Sequence, residues 1–445
     1  MSTAAAGPPL DFARSDDPVL DRLLVAASAH PIKAKDITLE RIERLLARMG
    51  QPQAKLPPVF HVAGTNGKGS TVAFLRACLE AAGHKVHVYT SPHLVRVNER
   101  IRVSGRLVGN AELAEALADV LRINAGQPLS FFEALTAAAF LLFAVVPADA
   151  CVLEVGLGGR LDATNVVPAP LVTGIAQLGL DHVQILGPTL RHIAAEKAGI
   201  AKRGVPLVTQ AYPPAVAASV AEVALPRGAR LLPRRDWWDA ALSGDELLVA
   251  APRDQAPLRL PRPGLPGQHQ AENAALAVAM LRAQSALAVP ESALRSGLLW
   301  AQWPARLQRL REGPLVQLLP RGSELWVDGA HNPQAARALG QWLASLPPMR
   351  TRLVVGIMRT KDCRGILAAF PRGEEVELVA VPVPGHAGVD PEALAGEAAT
   401  LGFAASAAPG LAAALAGLEA PARVLVTGSL HLAGELLREN GPLPT

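Results

Sequence analysis

The sequence predicts an α/β fold: a doubly wound, mostly parallel sheet followed by a smaller Rossmann-like α/β domain. Three observations carry this expectation. Short apolar runs of strand length alternate with helical periods along most of the chain. One of those strands runs into a glycine-rich turn that bears a lysine and opens a helix. The chain, at 445 residues, exceeds the size at which one core keeps growing, so two domains are the default.

From Val59 to about Leu207 the alternation reads as strand 59–63, helix 67–82, strand 86–90, helices 111–124 and 130–146, strands 150–155 and 171–176, helix 189–198 and strand 205–209. Within helix 130–146 the apolar run from Ala134 to Pro147, bounded by Glu133 and Asp149, falls short of the roughly 20 residues a bilayer crossing needs and reads as a buried helix. Arg230 to Pro266, rich in Pro and Arg with short apolar pieces, predicts a small antiparallel extension, and helices 270–284 and 290–299 follow. At Trp303-Pro304 the helical pattern breaks. A second alternation then gives strand 324–328, helix 333–345, strand 351–356, helix 363–370, strand 376–380, helix 391–400, strand 423–427 and helix 430–439. The expected domains are therefore 1–300 and 301–445.

Composition excludes several classes. Met1 to Leu24 carries prolines and Asp11, Asp16 and Asp17 without the layout of a signal peptide, and no membrane partner is expected. Cys78, Cys151 and Cys363 are far apart and form no Cys-x-x-Cys pair, which fits a reducing, cytoplasmic compartment. The net charge of +4 comes without an extended Lys/Arg run and with few aromatics, which argues against a nucleic-acid partner. Only eight lysines stand against thirty-five arginines, so Lys68, Lys197 and Lys361, each inside a motif, mark places where arginine would not serve.

The first motif is Gly64-Thr-Asn-Gly67-Lys68-Gly69-Ser70-Thr71 after strand 59–63. Glycines let backbone N–H groups face anionic oxygens, the helix N-terminus adds partial positive charge, and Lys68 supplies a full one. This is a phosphate cradle, shortened relative to the generic P-loop because only Thr65 and Asn66 separate Gly64 from Gly67. The first domain is thus expected to be a P-loop-type ATPase domain.

Further polar segments end other strands, where the ligand crevice of an open α/β sheet lies. Tyr89 to Ile101 contains Ser91, His93, Arg96 and Arg100, but taken alone reads as a solvated loop. Glu154 ends a buried strand and is followed by a second glycine turn, the usual placement of a carboxylate that holds Mg²⁺ against nucleotide phosphates. Asp181-His182 follows another strand, and Glu196-Lys197-Ala-Gly-Ile200 closes a helix. A lysine beside a metal is electrostatically odd, whereas a carbamylated lysine would be an oxygen ligand of opposite charge. In the C-terminal part, Asp328-Gly-Ala-His331-Asn-Pro333, Gly356 to Asp362 and Thr427-Gly-Ser429 terminate strands on one edge, which indicates a site. Asp328 suits a ribose hydroxyl and equally a helix cap.

Taken in order with Thr90-Ser-Pro-His-Leu94, Gly156-Leu-Gly-Gly-Arg-Leu-Asp-Ala-Thr-Asn165 and His269-Gln270 with Asn273, these motifs resemble the folylpolyglutamate synthase/dihydrofolate synthase family of the Mur ligase superfamily, from about residue 20 to the C-terminus. The resemblance implies an ATP-dependent ligase that activates a folate carboxylate as an acyl phosphate and joins it to L-glutamate. It implies an ATP site of Asn66, Gly67, Lys68, Gly69, Ser70, Asn273, Arg306 and Asp328, and magnesium ligands Ser91, Glu154, His182 and carbamylated Lys197. Ser130, Phe131, Phe132 and Glu133, with Leu161, Asp162 and Ala163, would line the pterin–benzoate pocket. His331 and Ser429 would meet glutamate, and Lys68, Lys197 and His331 would carry the chemistry. Two Mg²⁺ ions, ATP and a monovalent cation are the implied cofactors, dihydropteroate, folates and L-glutamate the substrates, and a monomer the expected state. Closure of the C-terminal domain would keep water off the acyl phosphate. Two departures touch that expectation: Pro304-Ala305-Arg306 replaces the family's Pro-Gly-Arg, and Met358-Arg-Thr-Lys-Asp362 its Met-x-Asp-Lys-Asp. Three readings compete: a bifunctional enzyme, a ligase limited to polyglutamylation, and a nucleotide-binding module without ligase activity.

Overall fold

The structure, a computed structural model, describes residues 14–29, 36–250 and 257–445. Asp11 and the piece of the expected extension at 251–256 lie outside the described residues. The chain divides into two compact units, Met1–Gly264 with Gln270–Ala301, and Leu265–His269 with Gln302–Thr445.

The first unit begins with α1 (Pro18–Ala27) and α2 (Glu40–Arg48). Then come β1 (Val59–Ala63), α3 (Lys68–Ala81), β2 (Val86–Tyr89), the hairpin β3 (Ile101–Val103) and β4 (Arg106–Leu107), α4 (Asn110–Asn124), α5 (Phe131–Val145) and β5 (Ala150–Glu154). It continues with β6 (Val172–Ile175), α6 (Val183–Leu186), α7 (Leu190–Ala198), β7 (Pro206–Thr209), α8 (Pro214–Ala224), β8 (Arg230–Pro233), β9 (Asp239–Ser243), β10 (Glu246–Ala250) and β11 (Leu258–Pro261). Helices α9 (Gln268–Arg282) and α10 (Glu291–Trp300) close it, with Gln268 and His269 of α9 grouping with the second unit.

The main sheet runs β4-β3-β2-β5-β1-β6-β7-β8. After β1 the chain builds toward β2, and from β6 onward it builds the other way. The reversal falls at β5, β1 and β6, so their carboxyl ends form the crevice of an open α/β sheet. Register puts Val62 level with Glu154 and with Gly174. All of β1, β5, β6 and β7 are buried along their full length, as parallel strands covered on both faces must be. One apolar cluster joins α1, α2, α4 and α5 to β2 and β5, and another joins α7 and α8 to β6 and β7.

Several expectations need correction. The antiparallel extension is only β9–β11, because β8 pairs parallel with β7 and forms an edge of the main sheet. The stretch after Tyr89 does not run as a loop to the next helix: Val97–Arg100 forms a 3₁₀ turn and β3 pairs antiparallel with β2. Helices α1, α2 and α8 were not foreseen.

The second unit holds β12 (Gln308–Leu310), β13 (Glu324–Val327), α11 (Pro333–Ala344), β14 (Thr351–Val355), α12 (Cys363–Leu367), β15 (Val376–Ala380), α13 (Pro391–Thr400), β16 (Ala404–Ala407), α14 (Leu411–Leu415), β17 (Arg423–Thr427) and α15 (Leu430–Asn440). Its sheet runs β12-β13-β17-β14-β15-β16, parallel except for the β12 edge. Strands β12 and β16 add to the expected set, and the helix expected at 363–370 ends at Leu367. Among the described residues no helix is long and apolar enough to cross a membrane.

Candidate active site

At the end of β1 the chain turns through Gly64, at φ +152°, and Gly67, at φ +83°, into α3. The Thr65 and Asn66 N–H groups both donate to the Gln177 carbonyl, at 2.8 and 3.1 Å, so these two do not face an anion. The donors left are those of Lys68, Gly69 and Ser70, first-turn N–H groups with no intrahelical acceptor, strengthened by the helix dipole. A Cβ on Gly67 would stand 2.2 Å from Asn273 Oδ1, which places the α9 amide against the loop. Asn273 is itself oriented by donating to Gln270 Oε1 at 3.1 Å.

Glu154 ends β5 with 4 % exposure. Its Oε2 accepts from Ser91 N at 3.3 Å, and Lys68 Nζ stands 3.9 Å from its Oε1. Lys197 is equally buried and donates to the Gly64 carbonyl at 2.8 Å, which brings it under the same loop. Burial, with the Lys68 charge nearby, lowers its pKa to about 7 against the pull of Asp181, Asp162 and Glu196. His182 caps α6 in a left-handed conformation, half-exposed, 3.9 Å from Asp181 Oδ1. Among the described residues no group of three or more His, Cys, Asp or Glu could hold a metal ion. The expected set is of another kind, one hydroxyl, one carboxylate, one imidazole and one amine, and its hard oxygen donors suit magnesium.

The second glycine turn and the end of α7 interlock. Arg160 N donates to Glu196 O at 2.9 Å, the Arg160 and Glu196 side chains pair at 2.8 Å, and a Cβ on Gly199 would lie 2.4 Å from Arg160 Cβ. Two motifs 36 residues apart thus form one packing unit that aims Lys197.

Ser130 and Glu133 spend their polar groups on a capping box at the start of α5, and Arg41 of α2 pairs with Glu133 at 3.2 Å. That leaves Phe131 and Phe132 to present apolar surface; Phe132 lies against Gly156, where a Cβ would be 2.5 Å from its Cζ. Ala163 is buried and Leu161 half-buried beside Asp162. Asp162 accepts from Leu157 N at 2.8 Å and from Thr164 Oγ1 at 2.5 Å, and burial raises its pKa. Thr164 in turn accepts from His61 Nε2, 2.8 Å away, because its own proton goes to Asp162. Burial holds His61 neutral, with its pKa near about 3. Neither His61 nor Gln177 was foreseen; a buried strand histidine and a loop carbonyl carry no spacing signal.

In the second unit, β13, β17 and β14 lie side by side, and Gly428 N donates to Ala330 O at 3.0 Å, so Asp328 and Ser429 end neighbouring strands. The cap of α11 is Asn332, not Asp328; the Asp328 oxygens accept from Leu307 N and Ala330 N, both at 2.8 Å. His331 Nδ1 donates to Gly329 O at 2.8 Å, which makes Nε2 the ring's acceptor. Ser429 is buried and caps α15, accepting from His431 N at 3.1 Å, so its O–H remains a donor. Arg306 follows Ala305, which adopts φ +54° where glycine is favoured, and its Nη1 donates to Ala305 O at 3.1 Å.

Residues 310–430 match the family model described as Mur ligase, glutamate ligase domain. The dihydrofolate synthase/folylpolyglutamate synthase of Escherichia coli is 36% identical over 406 residues, covering 91% of this chain and 92% of its own length. The chain belongs to the folylpolyglutamate synthase/dihydrofolate synthase family. Another member, from Bacillus subtilis, is 40% identical over 321 residues, 68% of this chain and 71% of its own. Among solved structures of the family, E. coli FolC in complex with DHPP and ADP superposes with a TM-score of 0.83 at 34% identity, covering 96% of this chain and 98% of that one. A bifunctional folylpolyglutamate synthase/dihydrofolate synthase with Mn, AMPPNP and L-glutamate bound gives 0.82 at 33%, with the same coverage.

Proposed function

We propose that this family member is an ATP-dependent ligase that joins the carboxylate of a folate acceptor, dihydropteroate or a tetrahydrofolate, to L-glutamate, releasing ADP and phosphate. The observation that carries the reading is the buried Lys197 amine held 2.8 Å from the Gly64 carbonyl beneath the phosphate cradle, with Glu154 and Lys68 beside each other there. A plain nucleotide-binding module has no use for a second, desolvated lysine at that point.

In this reading the first unit holds ATP and the acceptor, and the second binds glutamate. The turn from Gly67 to Ser70, the Asn66 side chain and Asn273 take the phosphates and nucleotide of ATP; Arg306 and Asp328 are further nucleotide contacts. Ser91, Glu154 and His182, with Lys197 as its carbamate, would hold two magnesium ions, which supply charge neutralisation on the phosphates when bound. Lys68 and the α3 N-terminus stabilise the γ-phosphate as an acceptor carboxylate oxygen attacks it and ADP leaves. Phe131, Phe132 and the Leu161–Ala163 turn hold the acceptor's ring system. His331 Nε2 takes a proton from the glutamate ammonium, Ser429 steadies its carboxylate, and the amine then attacks the acyl phosphate to release phosphate. In this reading the enzyme acts as a monomer in the cytoplasm, a reducing compartment that scattered cysteines without a Cys-x-x-Cys pair fit.

The test is ATP-dependent phosphate release with L-glutamate and either dihydropteroate or tetrahydrofolate, with product masses measured. Gain of one glutamate on both acceptors is expected, and gain on tetrahydrofolate alone leaves polyglutamylation only. ATP binding without gain on either would return the chain to the nucleotide-binding class.

Lys197 offers a second check with a defined sign. Only a neutral amine adds CO₂, forming a carbamate and releasing a proton. Because burial lowers the Lys197 pKa from the usual 10.5 to about 7, carbamate should accumulate as pH rises through neutrality. With ¹³C-labelled bicarbonate, a carbamate resonance is expected about one pH unit above that value and should fade about one unit below it. Lys197→Arg should show none at either pH, and a wild-type spectrum without the signal would remove the carbamate.

A further inference from the structure

The acceptor has to span two places in the first unit. In the ligase reading above its rings lie among Phe131, Phe132 and the Leu161–Ala163 turn, while its carboxylate must reach the phosphate beside Lys68 and Glu154. Arg100 stands between them. Its backbone carbonyl accepts from Thr90 N at 2.9 Å, and the next residue, Ser91, donates to Glu154 Oε2 at 3.3 Å. Its guanidinium lies over the Phe131 ring, 5.5 Å from the centroid.

The Arg100 side chain is enclosed, the residue being 5 % exposed, and a buried guanidinium is costly without an anion to answer it. Among the described residues none is in ion-pair contact with it. The nearest carboxylate in sequence, Glu99, is occupied: its oxygens accept from the N–H groups of Leu94, Val95 and Arg96 at 2.7, 3.0 and 2.7 Å. Nε donates to His93 Nδ1 at 2.9 Å, which requires a neutral His93 and fixes the plane of the guanidinium. Among the described residues the Nη groups have no acceptor, yet neither is both fully enclosed and unpartnered, so they open onto space rather than packed protein. A pinned guanidinium that presents its Nη edge matches a carboxylate through two parallel hydrogen bonds.

We propose that Arg100 is a specificity-determining residue that receives the acceptor's reacting carboxylate on its Nη edge and holds it toward the γ-phosphate. Phe131 then serves both ends, backing the guanidinium on one side and belonging to the segment that meets the acceptor rings. The proposal rests on the ligase reading, and it also accounts for a polar loop that by itself reads as solvated.

The test compares two ligands on the full-length protein with magnesium and a non-hydrolysable ATP analogue: dihydropteroate, and the same molecule with hydrogen in place of its carboxylate. Binding is followed by fluorescence titration. Arg100→Gln is expected to weaken dihydropteroate about ten- to a hundredfold and the decarboxylated analogue less than about threefold, with affinity for the ATP analogue unchanged. Arg100→Lys keeps the charge without the fork and should weaken dihydropteroate by about fivefold with the same selectivity. An equal loss for both ligands, or no loss for either, in a variant that melts like wild type would overturn the assignment. If Arg100→Gln does not fold, Arg100→Lys decides on the same comparison. A wild-type protein that binds neither ligand would overturn the ligase reading and this proposal together, whereas normal wild-type binding with unselective variants would overturn this proposal alone.

Discussion

Lys68→Ala is expected to lower kcat by about a hundred- to a thousandfold and to leave the melting temperature close to that of wild type. The Lys68 side chain opens α3 and, among the described residues, makes only two polar contacts, 3.5 Å to Thr65 O and 3.9 Å to Glu154 Oε1, so its loss removes no core packing. What it removes is the one full positive charge carried by the phosphate cradle, where an anion must approach another anion. Glu154→Ala acts on the same pair from the acidic side and is expected to cost turnover on the same scale. The two variants differ at Lys197. Loss of the Lys68 charge relieves a like-charge neighbour that lowers the Lys197 pKa, so the pH at which that amine becomes neutral should rise in Lys68→Ala. Steady-state kinetics and a thermal melt decide the matter: a folded Lys68→Ala enzyme with near wild-type turnover would remove the cradle lysine from the mechanism.

Gly159→Ala is expected to cost about 1–3 kcal/mol of stability and most of the turnover, although no side chain with a chemical role is touched. An added Cβ would stand 2.8 Å from Glu196 O, 2.9 Å from Lys197 O and 3.0 Å from Lys197 Cα. These are backbone atoms at the end of α7, so relief requires the helix end to move, and Lys197 moves with it away from Gly64. The control is Gly396→Ala in α13, where nothing lies within 4 Å of the new Cβ; an exposed helical Gly→Ala change there should be neutral or stabilising by about 1 kcal/mol. Equal melting temperatures for the two variants would show that the second glycine turn does not hold α7 in place.

The interlock at Gly159 illustrates why the sequence is readable in parts. Each glycine motif is short, its residues contact one another or the next helix turn, and the apolar run before each announces a buried strand. Arg100 behaves differently. Its meaning depends on Phe131 and Glu154, contributed by segments far along the chain, and within its own stretch, His93 included, it looks like any charged loop residue. The Ser130–Glu133 segment was legible as a place, but the division of labour within it was not: the hydroxyl and carboxylate cap the helix, and the aromatic pair remains to meet a ligand.

From its own residues the chain determined the alternation of strands and helices, the phosphate-binding turn, the acid at the end of a buried strand and the family to which these belong. All of these are written in contacts between neighbours in sequence. Tertiary structure alone decided that Arg230–Pro233 pairs parallel with β7 rather than joining the antiparallel extension, because a four-residue apolar strand has the same local pattern in either sheet. It also decided that Thr65 and Asn66 donate to Gln177, that Thr164 links His61 to Asp162, and that Lys197 is buried deeply enough to lose its proton near neutrality. Each depends on groups far apart in the chain whose desolvation and hydrogen bonding exist only once the sheet has brought them together.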